Sequence, residues 1–278
     1  MEEKVAGLAL ATCLLLSLAA CDGDFDDTEE NAEIYARLKV FSNGDQSPAL
    51  LMADLREGGT DTASRAELDG GDRVLGSQGR SIGDLIGGDG GVFDTVGQLT
   101  ESVSELELEG RVFFRPYQVE LTNYDRVAYA RLFDDFDRNA RFYVYLWRDE
   151  RDSVGDSWTT LPPPFEITTP AGGQSLSRSG DLQLSWTNPG SDDLMRLLVR
   201  GDCDDGSSVA ESIELGADDG AETIPASAYD DDIATGSAEC HLRLLLRRIN
   251  QGYANTGYGR GGLFEGIEQR WVDIRSTP

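Results

Sequence analysis

The sequence predicts an all-β protein built from two β-sandwich-like modules, and three observations carry that reading. Short runs alternate apolar with polar residues, the two-residue period of a half-buried strand. Paired glycines and clusters of Asp, Asn and Pro separate the runs, as turns require. Leu161-Pro162-Pro163-Pro164 interrupts the series with three residues that cannot donate to a ladder, which makes a stiff, extended connector. We place an N-terminal β-rich module at residues 33–160, the proline linker at 161–164 and a C-terminal sandwich at 165–278.

Composition sets the outer bounds. A chain of 278 residues is long for one domain, and 39% hydrophobic content with nine Tyr, ten Phe and four Trp supplies two cores. The formal charge is −27, a field that repels phosphate backbones and anionic headgroups, so no nucleic-acid partner is expected. Lysine occurs only at Lys4 and Lys39, a pattern shared by saline-adapted proteins and by GC-rich coding sequences.

Taken in order, the chain opens on an apolar run from Val5 to Ala20. It is short for a membrane span of about 20 residues and ends in small side chains, the shape of a signal peptide. Leu18-Ala19-Ala20-Cys21 closes it and resembles the bacterial lipobox, cut by lipoprotein signal peptidase before the cysteine; Glu2 and Glu3 beside Lys4 depart from the usual basic start. The resemblance implies a signal peptide at 1–20, acyl chains on Cys21 and the lipid bilayer as a partner. Acyl CH₂ groups contribute about 0.8 kcal/mol each when buried, enough in combination to hold a polar domain at a membrane. The implied location is the cell envelope, at the inner or outer membrane, facing the periplasm or the cell surface. Asp22 after the cysteine resembles the inner-membrane retention signal of enteric lipoproteins. Residues 21–32 continue as an almost wholly acidic stretch, which reads as a solvated tether.

In the first module Ile34, Ala36, Leu38 and Val40 alternate with Tyr35, Arg37, Lys39 and Phe41, and Leu50–Leu55 gives a second run. Gly58-Gly59, Gly70-Gly71, Gly87-Gly88 and Gly90-Gly91 read as turns, because no Lys-Ser or Lys-Thr follows to make a phosphate cradle. Strands are expected over Arg111–Leu121, Arg126–Phe133 and Arg141–Trp147. The last carries Phe142, Val144 and Leu146 on one face and Tyr143, Tyr145 and Trp147 on the other, so it is a central strand or one whose aromatic face meets a partner; we prefer the central strand.

Seven strands are expected after the prolines, over Phe165–Thr169, Leu182–Trp186, Met195–Arg200, Ser212–Leu215, Thr223–Ala226, His241–Ile249 and Gln269–Ile274. From Phe165 onward this spacing resembles the immunoglobulin-like or fibronectin-like modules of bacterial surface proteins, a resemblance of pattern that transfers no functional residues. Cys203 and Cys240 are expected to form a disulfide, since an exported chain folds in an oxidising compartment and these ends of the third and sixth strands would lie side by side.

Chemistry is sparse. His241 is the only histidine, shares a polar strand face with Arg243 and Arg247, and has no Gly-x-Ser-x-Gly elbow, so a surface role is expected and no catalytic residues are assigned. Acids cluster between strands at Asp202, Asp204 and Asp205, at Asp218 and Asp219, and at Asp230, Asp231 and Asp232. They read first as solvated surface; calcium is the one cofactor they could serve, through hard oxygen ligands at the sandwich ends. Residues 251–262 interleave Gly and Tyr, and Tyr253, Tyr258 and Arg260 have the composition of a recognition loop, although a long hairpin loop is the plainer reading. The expected function is a membrane-anchored binding or structural lipoprotein acting on an envelope protein or glycan, without catalysis. The alternatives are a periplasmic carbohydrate-binding factor or accessory enzyme working through carboxylates, and a calcium-dependent adhesion-like module.

Overall fold

Alternation along Ile34–Ser42 builds β1, whose Ile34, Ala36, Leu38 and Val40 are buried while the residues between them stay half-exposed. The computed structural model describes residues 34–44, 48–57, 73–79, 81, 129–133, 136–148, 152–226, 228 and 238–278, and the named elements among these are fourteen strands. The signal segment, Cys21, the acidic tether, the expected strand over Arg111–Leu121 and the acids Asp230, Asp231 and Asp232 lie outside the described residues.

The N-terminal region continues with β2 (Ala49–Glu57), β3 (Arg73–Gln78), β4 (Tyr129–Phe133), β5 (Phe142–Trp147) and β6 (Val154–Thr159). β1, β2 and β4 are neighbours in one sheet, and β3, β5 and β6 form another in the order β3-β5-β6. Their inner faces meet in a core of Ala36, Leu38, Val40, Leu51, Leu55, Phe142, Val144 and Leu146, with Phe133 edge-on to Phe142. Only that side of β5 is buried. β5 is central between β3 and β6, as expected, and Tyr143, Tyr145 and Trp147 are half-buried on its other face.

Beyond the prolines lie β7 (Ile167–Thr169), β8 (Ser175–Ser177), β9 (Leu182–Trp186), β10 (Leu194–Cys203), β11 (Ser208–Gly216), β12 (Ala221–Ile224), β13 (Cys240–Gln251) and β14 (Gly262–Thr277). The sheet β12-β9-β7 faces the run β11-β10-β13-β14, the two layers of a β-sandwich. Leu182, Leu184, Trp186 and Ile224 from the first meet Met195, Leu197, Val199, Leu242, Leu244 and Leu246 from the second. β8, one strand more than the expected seven, pairs in parallel with the end of β14. Cys203 and Cys240 are register partners on β10 and β13 and are joined by the expected disulfide, at the rim of this core.

β14 ties the two regions together. One edge runs antiparallel to β13 from Glu265 to Ser276; the other pairs in parallel with β1 from Gly262 to Glu268 and then with β8. One eight-stranded sheet therefore takes strands from both sides of the prolines, while the buried side chains keep two separate clusters. Gly266 allows a close approach here: a Cβ would stand 1.9 Å from the Thr160 carbonyl oxygen, so any side chain would push the segment entering the prolines off the sheet.

Polar groups fill the seam. Arg248 is fully buried, donating to the carbonyls of Pro163 at 2.8 Å and Asn188 at 2.9 Å, pairing with Asp218 at 2.9 Å and lying over the Phe165 ring. Glu268, also buried, is held between Arg138 and Arg270, and Arg270 reaches on to Glu166. Such pairs are tolerated inside because most of their hydrogen-bonding capacity is taken up, the Arg248 Nε being the one nitrogen of that guanidinium left without a partner.

Candidate binding site

The outward face of β5 and β6 carries an aromatic row that register alone creates. Ser77 on β3 stands opposite Tyr143 on β5, Tyr143 opposite Trp158 on β6, and Trp158 opposite Tyr253 in the segment following β13. Directly opposed residues of antiparallel strands share a face, so three aromatic side chains follow one another across about 10 Å of sheet. Trp158 and Tyr253 have ring centroids 6.5 Å apart. Arg141, one step before β5 and on the same face, lays its guanidinium 4.0 Å above the Trp158 ring, a cation–π contact that fixes the planar group in place. Tyr253 is 43% exposed, unusually high for a large side chain of this kind.

The segment carrying Tyr253 is pinned from end to end. Gly252 donates to the Phe264 carbonyl at 2.7 Å, Trp158 and Tyr253 exchange a pair of backbone hydrogen bonds at 2.8 Å, and the Asn255 amide donates to the Ser157 hydroxyl at 2.9 Å. Gly252 is required for this close approach, because a Cβ would lie 2.3 Å from the Trp158 carbonyl oxygen. Further along, the Arg260 amide donates to the Ile34 carbonyl. Residues 252–261 are thus the long hairpin loop of the plainer reading, joining antiparallel β13 and β14, and are tied to β6 at Tyr253.

Tyr258 corrects the grouping made from the sequence. It is 1% exposed and belongs to the N-terminal core with Phe264 and Val154, so it presents nothing to a ligand, whereas Tyr253 and Arg260 remain at the surface. Burial raises its phenol well above the ordinary value, with the nearby Ser157 hydroxyl partly opposing, and the hydroxyl makes no hydrogen bond of good geometry. A buried Tyr and an exposed one look alike in a Gly-rich stretch. The pairing that separates them is non-local.

The acids divide as sharply. Asp202 is exposed at the end of β10, and Asp204 and Asp205 occupy the turn that follows. Asp205 accepts from the Ser207 hydroxyl at 2.6 Å and the Ser207 amide at 3.0 Å, hydrogen bonds that hold its carboxyl below the usual range. Among the described residues no three His, Cys, Asp or Glu side chains gather closely enough to hold a metal ion. Asp218, placed among the loop acids by sequence, is instead buried. Burial alone would raise its carboxyl, but the Trp186 indole at 2.6 Å, the Ser191 hydroxyl at 2.8 Å and the Arg248 charge together hold it below the ordinary value.

His241 occupies a second row: Ser208, Asp202, His241 and Arg275 are successive register partners across β11, β10, β13 and β14. All three residue types of a hydrolytic triad are present in the wrong order. Asp202 stands between Ser208 and His241, which are two strand spacings, about 10 Å, apart, so the imidazole cannot take the serine proton. Neither the aromatic row nor its register was visible as a unit in the sequence; Trp158 sits in Val154–Thr159, whose Gly155, Asp156 and Ser157 mask the strand. No protein-family model matches the chain, and no curated protein matches it at significant similarity.

Proposed function

We propose that the chain is a lipid-anchored, non-catalytic binding module of the cell envelope, tethered through acylated Cys21 by the acidic stretch to residue 32 and binding through the Tyr143–Trp158–Tyr253 row. The observation that carries the binding reading is the rigid presentation of exposed Tyr253 and of Arg141 on either side of Trp158. Aromatic rings with few rotatable bonds give contact area at low entropic cost, and a sheet holds them without further ordering on binding. The lipobox spacing supports the anchor, and the sandwich beneath the row supplies the scaffold.

Two measurements test it. The precursor, expressed in a bacterial host with residues 1–20 in place, should yield a product that partitions into the detergent phase, and Cys21→Ala should move it to the aqueous phase; a variant that still enters detergent would rule out this anchor. Tyr253→Ala should leave the far-ultraviolet circular dichroism unchanged while weakening attachment to isolated envelope material. Undiminished attachment would remove the row from the proposal.

A further inference from the structure

The geometry points to a neutral carbohydrate as the ligand of the aromatic row, with a pyranose face on the Tyr253 ring and sugar hydroxyls on the Arg141 guanidinium, an assignment that rests on the binding reading above. Three features select this class. The first is size: a stable protein interface needs about 800 Å² per partner around an apolar centre. Among the described residues the large hydrophobic side chains that are well exposed are Tyr253 and Leu194, and Leu194 starts β10, outside the row. One open ring with a half-exposed row behind it suits a ligand of one or a few rings.

The second feature is chemical mixture. The negative face of an aromatic ring attracts polarised C–H groups, and a pyranose offers a face of such groups with hydroxyls around its edge. Arg141 has no carboxylate partner among the described residues, although the chain contains 51 acids, so its N–H groups are open to acceptors beside the ring on which it rests. The third is charge. A guanidinium alone would suit a carboxylate or phosphate equally well, but a chain of formal charge −27 repels a polyanion at low salt and leaves an uncharged acceptor favoured.

The full chain, kept in mild detergent with its disulfide intact, is run through native gels containing a neutral glucan, mannan or xylan, with the polyuronate alginate in parallel. Oligosaccharides of the retarding polymer are then titrated calorimetrically. Retardation by a neutral polymer, insensitive to salt, is expected, with affinity falling about five- to tenfold in Tyr253→Ala. Tyr253→Phe should bind nearly as the parent, and Arg141→Ala more weakly, all with unchanged circular dichroism. Retardation by alginate alone, abolished by salt and indifferent to Tyr253→Ala, would overturn the assignment in favour of an anion site. It would equally be overturned by neutral binding that survives Tyr253→Ala, or by no retardation in any polymer. If no polymer binds but Tyr253→Ala loses a crosslink to an envelope protein, the carbohydrate assignment falls while the binding reading stands. Release of reducing sugar from the retarding polymer would remove the non-catalytic reading and leave the ligand class intact.

Discussion

The two halves of the molecule close their cores by different means. The C-terminal sandwich is self-sufficient: every residue of its buried cluster lies between Phe165 and Ile274, a disulfide clamps its rim, and Trp186, Asp218 and Arg248 lock its flank. The N-terminal core is not, since it takes Tyr258 and Phe264 from the far end of the chain and its strand β1 pairs with β14. A core finished by residues more than 200 positions away is stable only after the C-terminal sandwich has formed its last strands, because the long loop must close first. The comparison teaches that the proline linker separates two hydrophobic clusters without separating two folding units.

The strongest way to break that comparison is to attack the borrowed part of the N-terminal core. Tyr258→Ala should cost about 3–5 kcal/mol, as large aromatic truncations in cores do, and should bring the N-terminal transition below the C-terminal one in thermal denaturation. Tyr258→Phe is the sharpening control: with no well-made hydrogen bond to lose, it should shift the denaturation midpoint by less than about 1 kcal/mol. Equal large losses in both variants would mean that the hydroxyl, and not the ring, holds the core.

A comparable effect is expected on the other side from Arg248. Arg248→Ala leaves the Asp218 carboxylate buried without its cation, at a cost of about 3–5 kcal/mol. Asp218→Asn tests the same pair by pH. The folded carboxyl lies below its unfolded value of about 3.9, so its contribution is fully present above that value and is lost as pH falls through the folded one. The gap in stability between parent and Asp218→Asn should be widest near neutrality and shrink in acid; a constant gap would show that the charge of Asp218 is immaterial.

These two regions also show where the sequence was readable. Alternation in Ile34–Ser42 and in Leu182–Trp186 is a local signal, and the structure returns both as half-buried strands. The pairing of Cys203 with Cys240 is legible because these are the two cysteines beyond the lipobox-like stretch, which leaves few choices. What could not be read is anything set by distant register. β6 hides behind Gly155-Asp156-Ser157, β8 is three residues with one apolar side chain, and the parallel β1–β14 pairing has no turn to announce it. The site is hidden for the same reason: composition points to Tyr253, but Trp158 joins it only through the bridge to the segment after β13, Arg141 only through the β5–β6 pairing, and the burial of Tyr258 comes from strands elsewhere in the chain.

Reduction of the disulfide offers a more selective perturbation. Closing the loop between Cys203 and Cys240 contributes roughly 4 kcal/mol by loop-closure entropy, all of it within the C-terminal half. If the N-terminal region depends on that half, reductant should lower both transitions together; if the halves are independent, only the C-terminal one moves. A lowered C-terminal transition beside an unmoved N-terminal one would break the asymmetry drawn above.

The smallest effect comes from an exposed ion pair on the same sandwich, closed at the same distance as Arg248–Asp218. Arg196 and Glu214 meet at 2.9 Å across β10 and β11, but their side chains are 32% and 80% exposed. Water already solvates both charges there, and two long side chains must be held still, so a double-mutant cycle through Arg196→Ala and Glu214→Ala should return about 0.2–1 kcal/mol, reduced further by salt. At the same separation the Arg248–Asp218 pair carries several times more, because neither group has water to fall back on. A coupling of equal size at both places would mean that burial does not govern the cost of breaking ion pairs in this protein, and the seam beside the prolines would lose its claim to lock the flank.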